Sequence, residues 1–342
     1  MSKSVKFLYL QQEDVIACGG LDMKETIDAV EKVYSLRDRG ECIEPGAPLI
    51  TWNGPQGRRI LAHMAYVGGD VDTAGIKWIP SNPENPRRLG LPRASAIIIL
   101  NDPETGFPLA VMDGTVVSAM RTAAATGVGA KYLARKDSEV VGLIGAGVIN
   151  RSQIRALHEV LPGLQEVKIF DLAADKAHRF AEDMSENLSL HFTVTGSAQE
   201  AVEGSDVVVT ATSGVSLEDA YLEASWLKEG SFLSTVASND SKIEVVLKAD
   251  KLVVTNREET KEPNWLIGLV CAQGLRSEGD FVELGEIING RRPGRENEKE
   301  KIFYAPGGLA VEDVVAAHRV YQQAIARGVG RELELWHEPV WV

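Results

Sequence analysis

The hydrophobic pattern divides the chain into two textures. From Ser138 onward, short apolar, β-branched runs recur: EVVGLIGAG, EVKIFDL, HFTVTG, DVVVTATSG, SFLSTVASND and KLVVTN. Helix-like segments separate most of them, among them VINRSQIRALHEVL, AADKAHRFAEDMSENL and AQEAVEGS. Strands that alternate with helices build βαβ units, so this region is expected to be a parallel sheet covered on both faces.

Ahead of it the pattern is mixed. LDMKETIDAVEKVYSLRDRG spaces its apolar residues as a helix and stops at Gly40. RRILAHMAYVGG, AGIKWI, ASAIIILND and FPLAVMDG read as four strands, each bounded by Gly, Pro, Asn or Asp. VVSAMRTAAATGVGAKYLAR is Ala-rich and helical, and the domain junction is placed within it. After about residue 305, VEDVVAAHRVYQQAIARG is an amphipathic helix with a Gly328 stop that can return to complete the first domain. The expected division is residues 1–125 with 306–342, and residues 126–305. Glu312 and Asp313 fall at the start of the returning helix, where its dipole favours acids, and are read as helix charge rather than chemistry.

Composition narrows the function classes. At 342 residues the chain exceeds what one core usually supports, in keeping with two domains. A net charge of −13 leaves no basic surplus to neutralise phosphates, which argues against nucleic acid or an anionic membrane as a partner. The most apolar run, ASAIIILND, is far too short to span a bilayer, and MSKSVKFLYLQQEDV is too interrupted by polar residues for a signal peptide. Three cysteines, Cys18, Cys42 and Cys271, show no metal spacing and an odd count. They read as the reduced thiols of a cytoplasmic protein with no metal site.

The stretch EVVGLIGAGVINRSQI carries the cofactor signal. A strand runs into Gly145-Ala146-Gly147, and Val148 and Ile149 then open a helix. The first glycine allows the tight turn, and the second lets backbone approach a pyrophosphate seated on the helix N-terminus. The third position of the G-x-G-x-x-G pattern is Asn150, so the motif is incomplete. Asp171 ends the next strand, where an acid accepts hydrogen bonds from ribose hydroxyls and repels a 2′-phosphate. NAD is therefore the expected cofactor. Thr210 and Thr212 at one strand end, and Ser238 and Asn239 at the next, are further candidate contacts, because ligands bind at strand C-termini in such sheets.

GIKW, LPRAS, ILNDPETGFPLAVMDG, SAMRTAAATGVGAKYLARKDS, LIGAG, SND and GGLAVEDV occur in that order along nearly the whole chain. In this the sequence resembles the ornithine cyclodeaminase/mu-crystallin family. AYVGG, GIKW, PRASAIIILNDPETG and GRRPGRENE look most like its N-(2-amino-2-carboxyethyl)-L-glutamate dehydrogenase branch, which serves 2,3-diaminopropionate biosynthesis for siderophores and peptide antibiotics. The resemblance implies a Rossmann domain plus an α+β substrate and dimerisation domain formed by the N-terminal segment and the C-terminal helix, and a homodimer. It also implies that NAD takes hydride from an amino acid Cα, leaving an imine. In the diaminopropionate branch that imine is hydrolysed. Cyclodeamination of ornithine to proline, alanine dehydrogenation, ketimine reduction and NAD(P)H binding without turnover are the alternatives.

Residue by residue, the resemblance assigns roles. Lys77 matches the catalytic lysine of GIKW, although by pattern alone a lysine between Ile76 and Trp78 reads as a strand residue facing water. Asp240 matches an acid near the nicotinamide, suited to general acid/base work. Arg121 matches an arginine that clamps the substrate carboxylate, and Thr122 and the small residues after it allow close cofactor approach. Gly307 and Gly308 are expected to let backbone approach the nicotinamide. Two departures stand out. Thr51 replaces a family arginine, so Arg58, Arg59 or Arg93 is expected to supply the second anchor, with Arg59 the better placed. His63 replaces a pocket-lining methionine and can hydrogen-bond substrate or titrate near neutral pH.

Overall fold

A computed structural model describes residues 4–52 and 57–341. Two compact units emerge, one of Met1–Arg121 with Gly308–Val342, the other of Thr122–Gly307. These boundaries fall a few residues from those expected, and the first lies inside the helix Thr115–Leu133.

The first unit is a mixed sheet backed by helices. Its strands run in the order Arg331–Trp336, Val5–Leu10, Pro108–Asp113, Ile97–Asn101, Thr73–Ser81 and Arg58–Val67; the last pairs with both Cys42–Ile43 and Leu49–Trp52. All pairings are antiparallel except Val5–Leu10 with Pro108–Asp113. The helix Met23–Asp38 starts on Asp22, whose side chain accepts from the Glu25 amide. It packs against the helix Ala310–Arg327, which crosses the sheet. That helix buries its first two turns completely, Glu312 and Asp313 included.

Gly75 explains how closely this helix sits on the sheet. A Cβ there would stand 2.8 Å from the Ile99 carbonyl and 3.3 Å from Val314. Without a side chain at Gly75, the first turns of the helix press onto the strand beside Lys77. Lys77 faces the same side, two residues on.

The second unit is an all-parallel, eight-stranded sheet. Its order is His191–Val194, Glu166–Phe170, Val140–Ile144, Val207–Thr210, Phe232–Thr235, Ile302–Ala305, Lys251–Val254 and Phe281–Glu283. From Val140–Ile144 the chain first builds outward one way and then, at Val207–Thr210, the other way. This is the doubly wound arrangement, with a crevice at the carboxyl ends where the direction reverses. Val208, Leu233, Leu252 and Phe303 fill its core, each no more than 4% exposed.

Candidate active site

The crevice of the second unit encloses about 950 Å³, large enough for a dinucleotide. Gly145-Ala146-Gly147, Asp171, Ser197 and Thr212 are among its walls. Gly145 adopts φ 97°, and a Cβ there would lie 2.9 Å from the Ala211 carbonyl, so the turn demands glycine. A Cβ on Gly147 would meet nothing within 4 Å, so its backbone lies open to the crevice. Val148 is 70% exposed at the start of the helix Val148–Val160, with Ile149 half-buried beside it.

Asn150, at the position of the missing third glycine, is fully buried. Its side-chain amide donates to the carbonyls of Ile144 at 3.0 Å and Gly145 at 2.6 Å. The side chain ties helix to strand where a glycine would only allow them close. Asp171 is fixed as well, accepting from the Ala146 amide and the Ala173 amide, each at 2.8 Å. A carboxylate has about four lone-pair sites, so these bonds leave acceptors for ribose hydroxyls. The open turn, the free helix start and the held acid together suit a nicotinamide dinucleotide.

Asp240 lies fully buried in this unit. Its Oδ1 accepts from the Thr212 hydroxyl at 2.5 Å, and its Oδ2 has no hydrogen-bond partner. Burial raises its pKa, opposed by the hydroxyls of Thr212, Tyr221 and Thr210. A carboxylate shielded from water, with its pKa raised and hydroxyls close by, is suited to exchanging a proton. Ser238 and Asn239 are half-buried just before it, Asn239 donating to the Asn264 carbonyl at 3.4 Å. The Thr122 carbonyl accepts from the Gln153 side chain at 3.3 Å. Gly307 packs where a side chain would collide with the Glu259 carboxylate.

In the first unit, one buried cluster gathers Lys77, Arg121 and His63. Lys77 is 1% exposed and pairs across the sheet with His63. Its ammonium donates to Asp313 Oδ1 at 2.8 Å and to the Ser118 hydroxyl at 3.2 Å. Arg121 donates from Nε to the same Oδ1 at 2.8 Å and from Nη1 to Glu312 Oε2 at 2.6 Å. The Tyr34 hydroxyl donates to Glu312 Oε1 at 2.6 Å. Gly308 lies against the Arg121 guanidinium, where a Cβ would be 3.1 Å from Nη1.

Glu312 and Asp313 do stand in the first turn of the helix, as expected, but they are buried and serve as the counterions of the cluster. Sequence reasoning had only the dipole to go on, because what they meet comes from strands and a helix far back in the chain.

Burial, and then the Arg121 charge, lower the Lys77 pKa to about 8, with Asp313 opposing. Burial pushes Glu312 up to about 7 against the pull of Arg121. Burial alone would raise Asp313, but Arg121, Lys77 and His63 hold it below its usual range. Burial and the Lys77 charge hold His63 down to about 4, so its ring is neutral near pH 7. This replaces the expectation that His63 titrates near neutral pH.

Arg59 and Arg93 make no hydrogen bond to this cluster among those described, although the Arg59 charge helps lower the His63 pKa. With Arg58, Trp52, Asn82 and Asn85 they line a cleft of about 280 Å³. Thr51 is exposed on the strand beside Arg59.

A doubly wound parallel sheet with an open glycine turn, in a chain that also carries an α+β unit, defines a dinucleotide-dependent enzyme of two-domain build. The model of the ornithine cyclodeaminase/mu-crystallin family matches residues 8–328, and the chain belongs to that family. A Staphylococcus aureus N-((2S)-2-amino-2-carboxyethyl)-L-glutamate dehydrogenase is 34% identical, covering 97% of this chain and 99% of its own. Among solved structures, Thermococcus litoralis Δ1-pyrroline-2-carboxylate reductase, in complex with NADH and L-proline, superposes with a TM-score of 0.88. It is 36% identical and covers 95% of this chain and 99% of its own. An archaeal alanine dehydrogenase dimer with bound NAD gives a TM-score of 0.86 at 34% identity, covering 97% and 100%. Among the described residues no helix is long and apolar enough to cross a membrane, and no group of His, Cys, Asp or Glu could hold a metal.

Proposed function

We propose that the protein is an NAD-dependent oxidoreductase that oxidises the Cα–N bond of N-(2-amino-2-carboxyethyl)-L-glutamate and hydrolyses the resulting imine, giving 2-oxoglutarate and L-2,3-diaminopropionate. The observation that carries this reading is the burial of Lys77 and Arg121 on one shared carboxylate, Asp313. Two buried cations side by side are a receptor for a substrate carboxylate. The full-length likeness to the Staphylococcus aureus dehydrogenase supports this substrate.

NAD, when bound, accepts the hydride that leaves Cα. The residues of the chain do the remainder. Lys77 and Arg121 fix the carboxylate and so orient Cα. Asp240 takes the proton that the nitrogen must lose, then assists the water that adds across C=N. Asp171 would hold the adenosine ribose hydroxyls, and the Gly145–Gly147 turn would hold the pyrophosphate. The dimeric archaeal neighbour supports a homodimer.

The alanine dehydrogenase and pyrroline-carboxylate reductase neighbours are as similar, at 34% and 36% identity, which keeps those two substrates in view. The test is purified protein with NAD and each candidate in turn. NADH, 2-oxoglutarate and diaminopropionate from the N-substituted glutamate support the proposal. Turnover of L-alanine or L-proline, with none of that substrate, replaces it.

A further inference from the structure

We infer that Asp313 is the positioning residue of this site: one buried carboxylate oxygen holds the amine of Lys77 and the fork of Arg121 in a single geometry, presenting their remaining N–H groups to one substrate carboxylate. The inference rests on the oxidoreductase reading above.

The argument is one of donor counts. An ammonium has three N–H groups. Lys77 gives one to Asp313 Oδ1 and one to Ser118, leaving one. A guanidinium has five. Arg121 gives its Nε–H to the same Oδ1 and one Nη1–H to Glu312, leaving three, two of them on Nη2. Because both cations donate to the same oxygen, their nitrogens lie within two hydrogen-bond lengths of each other. That spacing lets the two oxygens of one carboxylate reach both free donors. Without Asp313, two like charges would share a dry site and push apart.

The groups facing Asp313 come from every element around it: Lys77 and His63 from the sheet, Arg121 from the helix Thr115–Leu133, and Glu312, itself held by Tyr34, from its own helix. Asp313 Oδ2 lies 2.7 Å from the Lys77 nitrogen and 3.8 Å from His63 Nδ1, and makes no hydrogen bond of its own. Among these groups only Asp313 contacts both catalytic cations.

The experiment is Asp313→Asn, which keeps the shape and removes the charge, with Asp313→Glu as the conservative variant. Lysine-selective isotope labelling reports the titration of Lys77 by NMR, and steady-state kinetics report kcat and KM against pH. For Asp313→Asn we expect kcat/KM for the amino acid to fall on the order of 10²-fold. The Lys77 titration and the matching limb of the pH profile should both move to lower pH. Asp313→Glu should recover part of both, and NADH affinity should stay unchanged. An activity loss with neither the titration nor the profile displaced would mean a merely structural role and overturn the inference.

Two further results remain decisive. If Asp313→Asn does not fold, the wild-type protein decides: a Lys77 amine already neutral at pH 7 overturns the inference, and one charged up to about pH 8 supports it. If no amino acid is oxidised yet the Lys77 titration shifts in Asp313→Asn, the oxidoreductase reading fails while the positioning role stands.

Discussion

Asp171 should decide which dinucleotide the protein accepts. Its carboxylate cannot swing away from a 2′-phosphate without releasing the Ala146 and Ala173 amides, both bonded at 2.8 Å. Two unit charges about 4 Å apart repel by about 4 kcal/mol at an effective dielectric of 20. Asp171 is half-buried, and solvent screening roughly halves that figure to about 2 kcal/mol, or ~30-fold in affinity. Asp171→Ser removes the charge and keeps a small polar side chain. It should tighten NADPH ~30-fold. It should also weaken NADH by roughly 10-fold or more, because hydrogen bonds to a charged acceptor contribute about 1.5–3 kcal/mol. Fluorescence titrations of wild type and variant with both reduced dinucleotides measure the two changes. Equal affinity of the wild type for NADH and NADPH, or an unchanged ratio in the variant, would refute the reasoning.

Lys77→Met should lower kcat by 10²–10⁴-fold, the usual scale for losing a positioned proton-exchanging or charge-binding group, while NADH titration is unchanged. Retained turnover would remove Lys77 from the chemistry. Glu312 has a folded-state pKa of about 7 against an ordinary 4.5, so the folded protein binds the extra proton between those values. Its contribution to stability is full below about pH 4.5 and is lost as pH rises towards 7. Glu312→Gln should therefore gain in Tm relative to wild type as pH increases through that window, and a difference that is flat or falls would contradict the assignment. At Gly142 an added Cβ would stand 2.2 Å from the Ala201 carbonyl, a backbone atom with little room to yield. Gly142→Ala should cost about 1–3 kcal/mol, read as a lower urea midpoint, and an unchanged midpoint would show that the helix shifts freely.

The parallel sheet was legible in the sequence because its strands are buried on both faces. VVGLI, EVKIF, VVVT and KLVV are dominated by apolar and β-branched residues, and Gly145 and Asp171 punctuate them where the ligand crevice lies. Other strands were hidden by their surroundings. Arg331–Trp336 alternates charged and apolar residues and is almost wholly exposed, so nothing in RELELW marks it as the sheet edge beside Val5–Leu10. The insertion of Ile302–Ala305 between Phe232–Thr235 and Lys251–Val254 is a matter of long-range pairing that no local pattern records.

The burial of Lys77 was equally illegible. In a strand, alternation gives a lysine the same signature on either face. What makes it a core residue is a carboxylate 236 positions later in the chain. The same separation hid the role of Glu312 and Asp313. His63 could be placed near Lys77 from its position, but the desolvation that keeps it neutral could not be read from composition.

The helix Ala310–Arg327 also sets an order of events during synthesis. Lys77 and Arg121 leave the ribosome long before the acids that neutralise them, and the whole of Thr122–Gly307 is made in between. A nascent first unit that closed its core early would have to bury two uncompensated cations, which is costly. The nucleotide-binding unit, whose parallel sheet is contributed entirely by Thr122–Gly307, is free to fold meanwhile. The buried cluster of Lys77 and Arg121 can be completed only when Glu312 and Asp313 arrive. A chain that stalls before them carries the whole dinucleotide crevice but lacks both counterions of Lys77 and Arg121.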